Sequence, residues 1–251
     1  MTLELHQFPF SHYNEKARWA LDWKGVPHVR RSYLPGPHML PVYRLSGQRS
    51  VPVLRAGTEV IPGSAAIIYW LDRHHPTPTL LPEDPATRQE ALAVQQWFDD
   101  KVGPAIRRAF FFDFLDDGDY AARAMSFGQP AAVVALYRAL FPATRAIMRF
   151  DMGIHAEGAE RGRARTTEAL DRVAAAGEGY LVGDRFSVAD LAAASLLSVA
   201  IFPPESPVVL PEPRSRAVET WLARWADHPG TKWVARMFAR HRGRSAAVAA
   251  A

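Results

Sequence analysis

Two segments carry residue types suited to holding a peptide-like ligand. Ser50-Val51-Pro52-Val53-Leu54 reads as an apolar strand opening on Val-Pro, and Gly63-Ser64-Ala65-Ala66-Ile67-Ile68 opens a helix shortly after. Proline cannot donate to a sheet ladder and belongs at strand starts or edges, so the backbone beside Pro52 is open to a ligand strand. A helix that begins at Ser64 offers free N–H groups and a partial positive charge. The chain has no cysteine, which excludes an internal disulfide, a CxxC redox pair, a Cys-based zinc site and a Cys nucleophile. His74-His75 has no ligand-spaced partners and reads as a solvated loop pair, not a metal site.

The elements that position these residues follow from local pattern. Leu3 to Phe8 reads as a strand that Pro9 breaks. Ser11 can cap a helix running to Lys24, with Tyr13, Ala17, Ala20, Leu21 and Trp23 at helical spacing and Gly25 as its stop. Val29 to Leu34 is a second strand, and Pro35-Gly36-Pro37 with Met39 to Leu45 forms an irregular or short helical link. The strand through Leu54, a strand Thr58 to Ile61 and a helix Ser64 to Arg73 complete the unit. The order β-α-β, connection, β-β-α implies a right-handed parallel crossover plus a hairpin, in a mixed sheet of four strands.

A proline-rich linker spans His75 to Pro85, and the pattern beyond it is helical. One long helix is expected from Ala86 to Phe114, bent near Gly103-Pro104, with others at 131–148, 161–175, 187–200, 214–226 and 231–241. Ser187-Val188-Ala189-Asp190 is a capping-box variant opening a buried helix, which gives Asp190 a structural role. The expected organisation is therefore 1–78 for the sheet domain, 79–86 for the linker, 87–242 for the helical domain and 243–251 for a disordered tail.

About half of the 251 residues are hydrophobic, enough for a sizeable core. The net charge is only +4 and acidic residues are interspersed among the basic ones, so no nucleic-acid footprint is present. The chain enters its first strand without a signal segment, and no apolar run is expected to span a membrane. A soluble cytoplasmic protein is the resulting expectation.

The chain resembles the glutathione transferase family over nearly its whole length. The resemblance rests on Ser11-His12-Tyr13-Asn14-Glu15-Lys16-Ala17-Arg18-Trp19-Ala20-Leu21, on Val51-Pro52-Val53-Leu54, on Gly63-Ser64-Ala65-Ala66-Ile67-Ile68, and on Gly183-Asp184-Arg185-Phe186-Ser187-Val188-Ala189-Asp190, in that order. It implies a fold of class α/β plus all-α: a thioredoxin-like N-terminal domain followed by an all-helical C-terminal domain. It also implies that Pro52 is cis, so that the cysteinyl part of glutathione pairs with Val51 like an added strand.

The same resemblance assigns the other contacts. Ser64 is expected to bind the γ-glutamyl carboxylate, with Ser50, Pro52, Arg49 and Asn14 around the peptide. Gly63 stands where many relatives carry Asp, Glu or Gln, so the backbone contact there is kept and the side-chain contact is lost. One of His38, Arg44, Gln48 and Arg49 is expected at the glycyl carboxylate. Ser11 falls at the family's catalytic serine. A free thiol has a pKa of about 8.5, so a hydroxyl donor at a helix N-terminus has a thiolate to stabilise. As a residue, Ser11 serves equally as a simple helix cap, and Tyr13 and Asn14 are rival donors to the sulfur.

Asn14 stands where some relatives carry Cys, so conjugation is expected in place of thiol–disulfide chemistry. Tyr13, Trp97, Arg107, Phe110 and Phe111 are expected around the second substrate, a small electrophile. Arg107 and Arg108 suit an anionic or polarised acceptor, or alternatively pair with Asp99, Asp100 or Asp113. The expected protein is a homodimeric glutathione transferase with glutathione as co-substrate and no metal, nucleic-acid or membrane partner. The alternative is a non-catalytic ligand-binding or regulatory protein on the same fold.

Overall fold

The computed structural model describes residues 3–249. Four strands, β1 (Leu3–Gln7), β2 (His28–Ser32), β3 (Val53–Ala56) and β4 (Glu59–Pro62), form one sheet in the order β2-β1-β3-β4. β1 runs parallel to β2 and antiparallel to β3, and β3 and β4 form the hairpin. Central β1 is buried along its length, so its polar residues need partners. Glu4 pairs with Arg31 and Arg55, and His6 Nδ1 hydrogen-bonds the Tyr33 hydroxyl at 2.8 Å.

Three helices accompany the sheet: α1 (His12–Trp23), α2 (Met39–Ser46) and α3 (Ser64–His74). The link expected after β2 is thus helical, and Gly47 ends it at φ 73°. Eight helices follow: α4 (Pro85–Trp97), α5 (Gly103–Phe114), α6 (Gly118–Met125), α7 (Ala131–Asp151), α8 (Ala156–Ala174), α9 (Val188–Leu197), α10 (Arg216–Ala223) and α11 (Pro229–His241).

The helix expected over 86–114 is divided by a wide π turn, Phe98–Val102. Pro104 has no N–H for the carbonyl one turn earlier, and its ring crowds that carbonyl, which explains a widened turn just before it. The capping box on α9 is present: Ser187 Oγ accepts from the Ala189 N–H, and Asp190 Oδ2 accepts from the Ser187 N–H at 3.0 Å. Asp190 Oδ1 also accepts from the Leu181 N–H at 2.8 Å, tying the preceding loop to the helix.

The two domains share a core. Trp19 of α1 packs its ring 5.5 Å from Phe186 and 4.5 Å from Phe238 of α11. Between the domains, Lys16 Nζ meets Asp99 Oδ2 at 2.5 Å, and the Tyr13 hydroxyl donates to the Asp99 carbonyl. Lys24 Nζ donates to the His75 and Pro78 carbonyls at 2.7 Å each, pinning the linker.

Two expectations are corrected. The segment expected as a disordered tail is held as far as it is described. Just before it Arg242 is buried between Glu15 (2.5 Å) and Asp22 (2.8 Å); within it the Ala246 N–H donates to Asp22 Oδ1 at 2.8 Å and the Val248 N–H to the His28 carbonyl at 2.9 Å. These contacts join residues more than 200 positions apart, which local pattern cannot reveal; residues 250–251 lie outside the described range. Second, α7 is by length and composition able to cross a membrane, against the expectation that no apolar run is long enough. Its arginines, at positions 138, 145 and 149, all lie in its second part, after the apolar run Ala131–Tyr137.

Candidate functional site

β1 ends at Gln7, and the chain turns through Phe8-Pro9-Phe10 into Ser11, the N-cap of α1. Extended backbone at Ser11 (φ −156°, ψ 127°) lets its Oγ accept from the Asn14 N–H at 3.4 Å. Arg18, one to two turns into α1, is buried and donates back into this loop, to Gln7 Oε1 (2.6 Å) and to the Phe8 (3.1 Å) and Pro9 (3.2 Å) carbonyls. Glu15 balances its charge at 2.8 Å. The loop that presents Ser11 is therefore held by a guanidinium fork with a fixed geometry.

Across from it, the Val51–Pro52 peptide is cis. Regular pairing of β3 begins at Val53, opposite His6, so Val51 lies ahead of the ladder. The Gly63 N–H donates to the Pro52 carbonyl at 2.9 Å. Gly63, not Ser64, is the N-cap of α3; its φ of 91° suits glycine, and Ser64 becomes the first helical residue, buried, with its N–H among the unpaired ones of the first turn.

A cleft of about 350 Å³ opens between these elements, within the range of small-molecule sites. The sheet domain contributes Phe8, Phe10, Ser11, His12 and Tyr13 on one side, with Pro35, Gly36, His38, Met39, Arg49, Ser50 and Val51 on the other. The helical domain contributes Arg107 and Phe111 from α5, Met125 from α6, and Thr144, Ile147, Met148, Asp151 and Met152 from α7 and its end. A smaller pocket of about 30 Å³ also touches Ser11 and Arg107, and Phe110, Phe202 and Val208 line it.

The sequence-based candidates are sorted by this geometry. Ser11, Tyr13, Arg49, Ser50, Val51, Arg107 and Phe111 line the cleft together. Pro52, Gly63 and Ser64 do not line it but sit beside Val51 through the cis peptide and the Gly63–Pro52 bond. Phe110 is buried and meets only the smaller pocket. Trp97 does not reach either pocket; its ring packs at 4.9 Å from Phe98 and under Arg172 at 4.7 Å. Asn14 is fully buried and is absent from the lining of both pockets, and its side-chain amide has no hydrogen-bond partner among the described residues. Met125, the α7 residues and Asp151 were not expected here, and no sequence signal pointed to them: α7 comes to the cleft only by tertiary packing.

Several cleft residues are electrostatically committed. His12 is held neutral, its pKa lowered to about 3 by burial, with the nearby Arg107 charge adding to the effect. Its Nε2–H donates to the Gly103 carbonyl at 3.1 Å. The Tyr13 phenol is pushed up by burial and by the Asp99 charge, and its proton is spent on the Asp99 carbonyl. His38 is also lowered by burial, and its Nδ1 accepts from the Gly36 N–H at 3.1 Å. Of the acids considered for Arg107 and Arg108, Asp99 pairs with Lys16 and Asp113 with Arg163. Arg107 lines the cleft and forms no ion pair among the described residues; its Nε has no hydrogen-bond partner there, and the Asp151 carboxylate on the same cleft acts on its charge.

A thioredoxin-like sheet domain with a cis proline, joined to an all-helical domain across such a cleft, defines the class of the protein. The chain belongs to the glutathione S-transferase family. Its residues 5–79 match the glutathione S-transferase N-terminal domain and residues 142–229 the C-terminal domain. It is similar to the maleylpyruvate isomerase of a Ralstonia species, 37% identical over 95 residues, which span 37% of this chain and 45% of that protein. It is also similar to FtsZ-localized protein A of Caulobacter vibrioides, 26% identical over 230 residues, covering 90% of this chain and 87% of that one. Among solved structures, a glutathione S-transferase of Methylobacterium radiotolerans in complex with glutathione sulfonate shares the fold, with TM-score 0.60, 24% identity, and coverage of 100% of this chain and 97% of that one.

Proposed function

We propose that the protein is a glutathione-dependent enzyme in which Ser11 stabilises the glutathione thiolate for attack on a small electrophile. The observation that carries this reading is that Ser11 and Val51 face one cleft, a hydroxyl at a helix N-terminus opposite a backbone segment that precedes a cis proline. Glutathione would lie along Val51 as an added strand, with its γ-glutamyl carboxylate at the α3 N-terminus and Ser64. Arg49 and His38 stand on the Ser50 side of the cleft for the glycyl carboxylate.

In this reading the thiol proton leaves to solvent, because His12 is neutral and already donating to Gly103. The Ser11 hydroxyl then donates to the thiolate, and each pKa unit by which it lowers the thiol corresponds to about 1.4 kcal/mol. The thiolate sulfur forms a C–S bond with the electrophilic carbon. The displaced electron pair goes to a leaving group or a conjugated carbonyl oxygen, and Arg107 supports that developing negative charge. Phe10, Phe111 and Met148 exclude water around the acceptor. The protein acts in the cytoplasm, as a homodimer.

A second reading is favoured by the similarity to a maleylpyruvate isomerase and by the cation at Arg107. The same addition to an unsaturated carboxylate, followed by rotation about the former double bond and expulsion of the thiolate, isomerises the acceptor and regenerates glutathione. The similarity to FtsZ-localized protein A supports the third possibility, a binding protein without turnover.

Two measurements separate them. Isothermal titration with glutathione should show binding, and the absence of any binding overturns both enzymatic readings. Product analysis with an aryl halide and with maleylpyruvate then follows the thiol. Stoichiometric loss of glutathione supports conjugation, geometric conversion without loss supports isomerisation, and binding without turnover supports the third reading.

A further inference from the structure

Arg242 closes α11, and its buried side chain lies against α1. Trp19 fixes it there: the indole N–H donates to the His241 carbonyl at 2.9 Å, and the Arg242 guanidinium lies 5.9 Å from the centre of the indole ring. Arg242 Nε then meets Glu15 Oε1 at 2.5 Å, and its Nη1 meets Asp22 Oδ2 at 2.8 Å. Glu15 and Asp22 stand about two turns apart on α1, so one guanidinium joins both. The resulting chain of charges alternates in sign: Arg18, Glu15, Arg242, Asp22, Arg30.

The two carboxylates depend on Arg242 to different degrees. Asp22 also accepts from Arg30 at 2.9 Å and from the Ala246 N–H at 2.8 Å. The Glu15 carboxylate has one other partner among the described residues, Arg18, whose Nε meets Oε2 at 2.8 Å. Because Arg242 occupies Oε1, Arg18 gives Glu15 a single nitrogen. The other two nitrogens of Arg18 are left for Gln7 Oε1 and the carbonyls of Phe8, Pro9 and Ser11. A guanidinium beside a carboxylate with both oxygens free takes them as a pair. Glu15 without Arg242 therefore draws a second nitrogen of the Arg18 fork away from the loop.

We infer that Arg242 is a positioning residue for Ser11: by holding one oxygen of Glu15, it keeps the Arg18 fork on the loop that presents the hydroxyl. Its place in the reaction rests on the reading of Ser11 as the donor to sulfur. Arg242 itself does not line the cleft, so it acts only through Glu15 and Arg18. A residue that merely neutralised buried carboxylates would lower stability when removed and leave the kcat of the folded protein unchanged. A residue that keeps the fork in place changes kcat, and it does so only while Glu15 carries the charge that competes for Arg18.

The test compares the full chain as wild type, Arg242→Gln, Arg242→Lys, and Arg242→Gln combined with Glu15→Gln, each at a temperature where circular dichroism shows it folded. Two quantities are read: kcat for glutathione with an aryl halide, and hydrogen exchange of the Ser11 and Asn14 amides. In the wild type these donate to the Pro9 carbonyl at 3.1 Å and to Ser11 Oγ at 3.4 Å. Arg242→Gln should speed their exchange and lower kcat, each by about 5- to 10-fold, the weight of one hydrogen bond. Arg242→Lys keeps a cation for Oε1 and should stay near wild type in both. The double variant removes the competitor for the fork, so protection and kcat should return although the urea midpoint falls further. Exchange and kcat in Arg242→Gln equal to wild type overturn the inference. So does a double variant no better than Arg242→Gln or, where the single variant does not fold, a double variant below wild type. Faster exchange in Arg242→Gln together with an unchanged kcat in Ser11→Ala leaves the hold on the loop in place and overturns the reading of Ser11 instead.

Discussion

Arg18 donates from inside α1 to the carbonyl of Ser11 at 3.4 Å, so the residue that faces the cleft is held from behind by its own helix. The same guanidinium takes Gln7, Phe8 and Pro9, and Glu15 below it is shared with Arg242 from the far end of the chain. Arg18→Met leaves Glu15 with Arg242 as its one cation and takes the donor from the Gln7 amide oxygen and the Phe8 carbonyl, and should lower unfolding free energy by about 1–3 kcal/mol. Arg18→Lys keeps the charge without the fork. Its glutathione KM should rise even at temperatures where circular dichroism shows it folded; an unchanged KM would separate the loop from the site.

Ser11→Ala should lower turnover by about 10-fold or more, the order seen when a polar donor to a transition state is lost. Glutathione affinity should change little, because the contacts proposed for the peptide are at Val51 and Ser64. The pKa of bound glutathione, followed by thiolate absorbance, should rise in the variant. A rate equal to wild type would retire Ser11 as the activating group.

Arg107→Gln removes a cation that lines the cleft and forms no ion pair among the described residues. For an electrophile bearing a carboxylate, KM should rise about 10-fold or more, the weight of a charge-assisted hydrogen bond. For a neutral aryl halide it should stay within a small factor. Equal effects on both would mean that Arg107 shapes the cleft without selecting charge.

Gly103→Ala tests the contact between the domains. A Cβ at position 103 would lie only 2.3 Å from the Tyr13 hydroxyl oxygen, so the ring must move and its bond to Asp99 be lost. Overpacking of this kind costs about 1–3 kcal/mol, to be read as a lower midpoint in urea. Tyr13→Phe in the same background should recover only part of the loss, because the nearest atom is gone while the ring carbon Cζ still lies 2.6 Å from the added Cβ.

Asp190 has its pKa raised to about 6 by burial, against the opposing bonds from Leu181 and Ser187. The folded state therefore binds a proton that the unfolded chain releases at about pH 4. This group lowers stability as pH rises from about 4 to about 6, and the loss is complete above that. Asp190→Asn removes the titration together with part of the cap. Wild type should gain on the variant as pH falls from 7 to 4 in parallel denaturation curves; a constant difference between the two would show that Asp190 does not titrate in that window.

The order of strands and most helices was legible because their causes are local. The cap at Ser11, the stop at Gly25 and the box at Ser187–Asp190 each act within a few residues. Boundaries that moved did so for reasons outside the window. α8 opens at Ala156, capped by His155, and packs Gly162 against α5 so closely that a Cβ would meet the Ala105 carbonyl at 2.4 Å. Nothing periodic in Ala156-Glu157-Gly158 announces that start.

The candidate site divides in the same way. That Ser11 and Val51 would flank one cleft was legible from the chain, since a cap, a strand-opening proline and the family resemblance all act through short motifs. Which of the aromatic and basic residues join them was decided by packing. Trp97 turned to Arg172, Asn14 went into the interior, and α7 brought Ile147, Met148 and Asp151 to the cleft. Residue types and spacings determine hydrogen bonds and faces within one element. A cleft is the space left when distant elements pack, so its walls exist only after the long-range contacts of α1, α5 and α7 have formed.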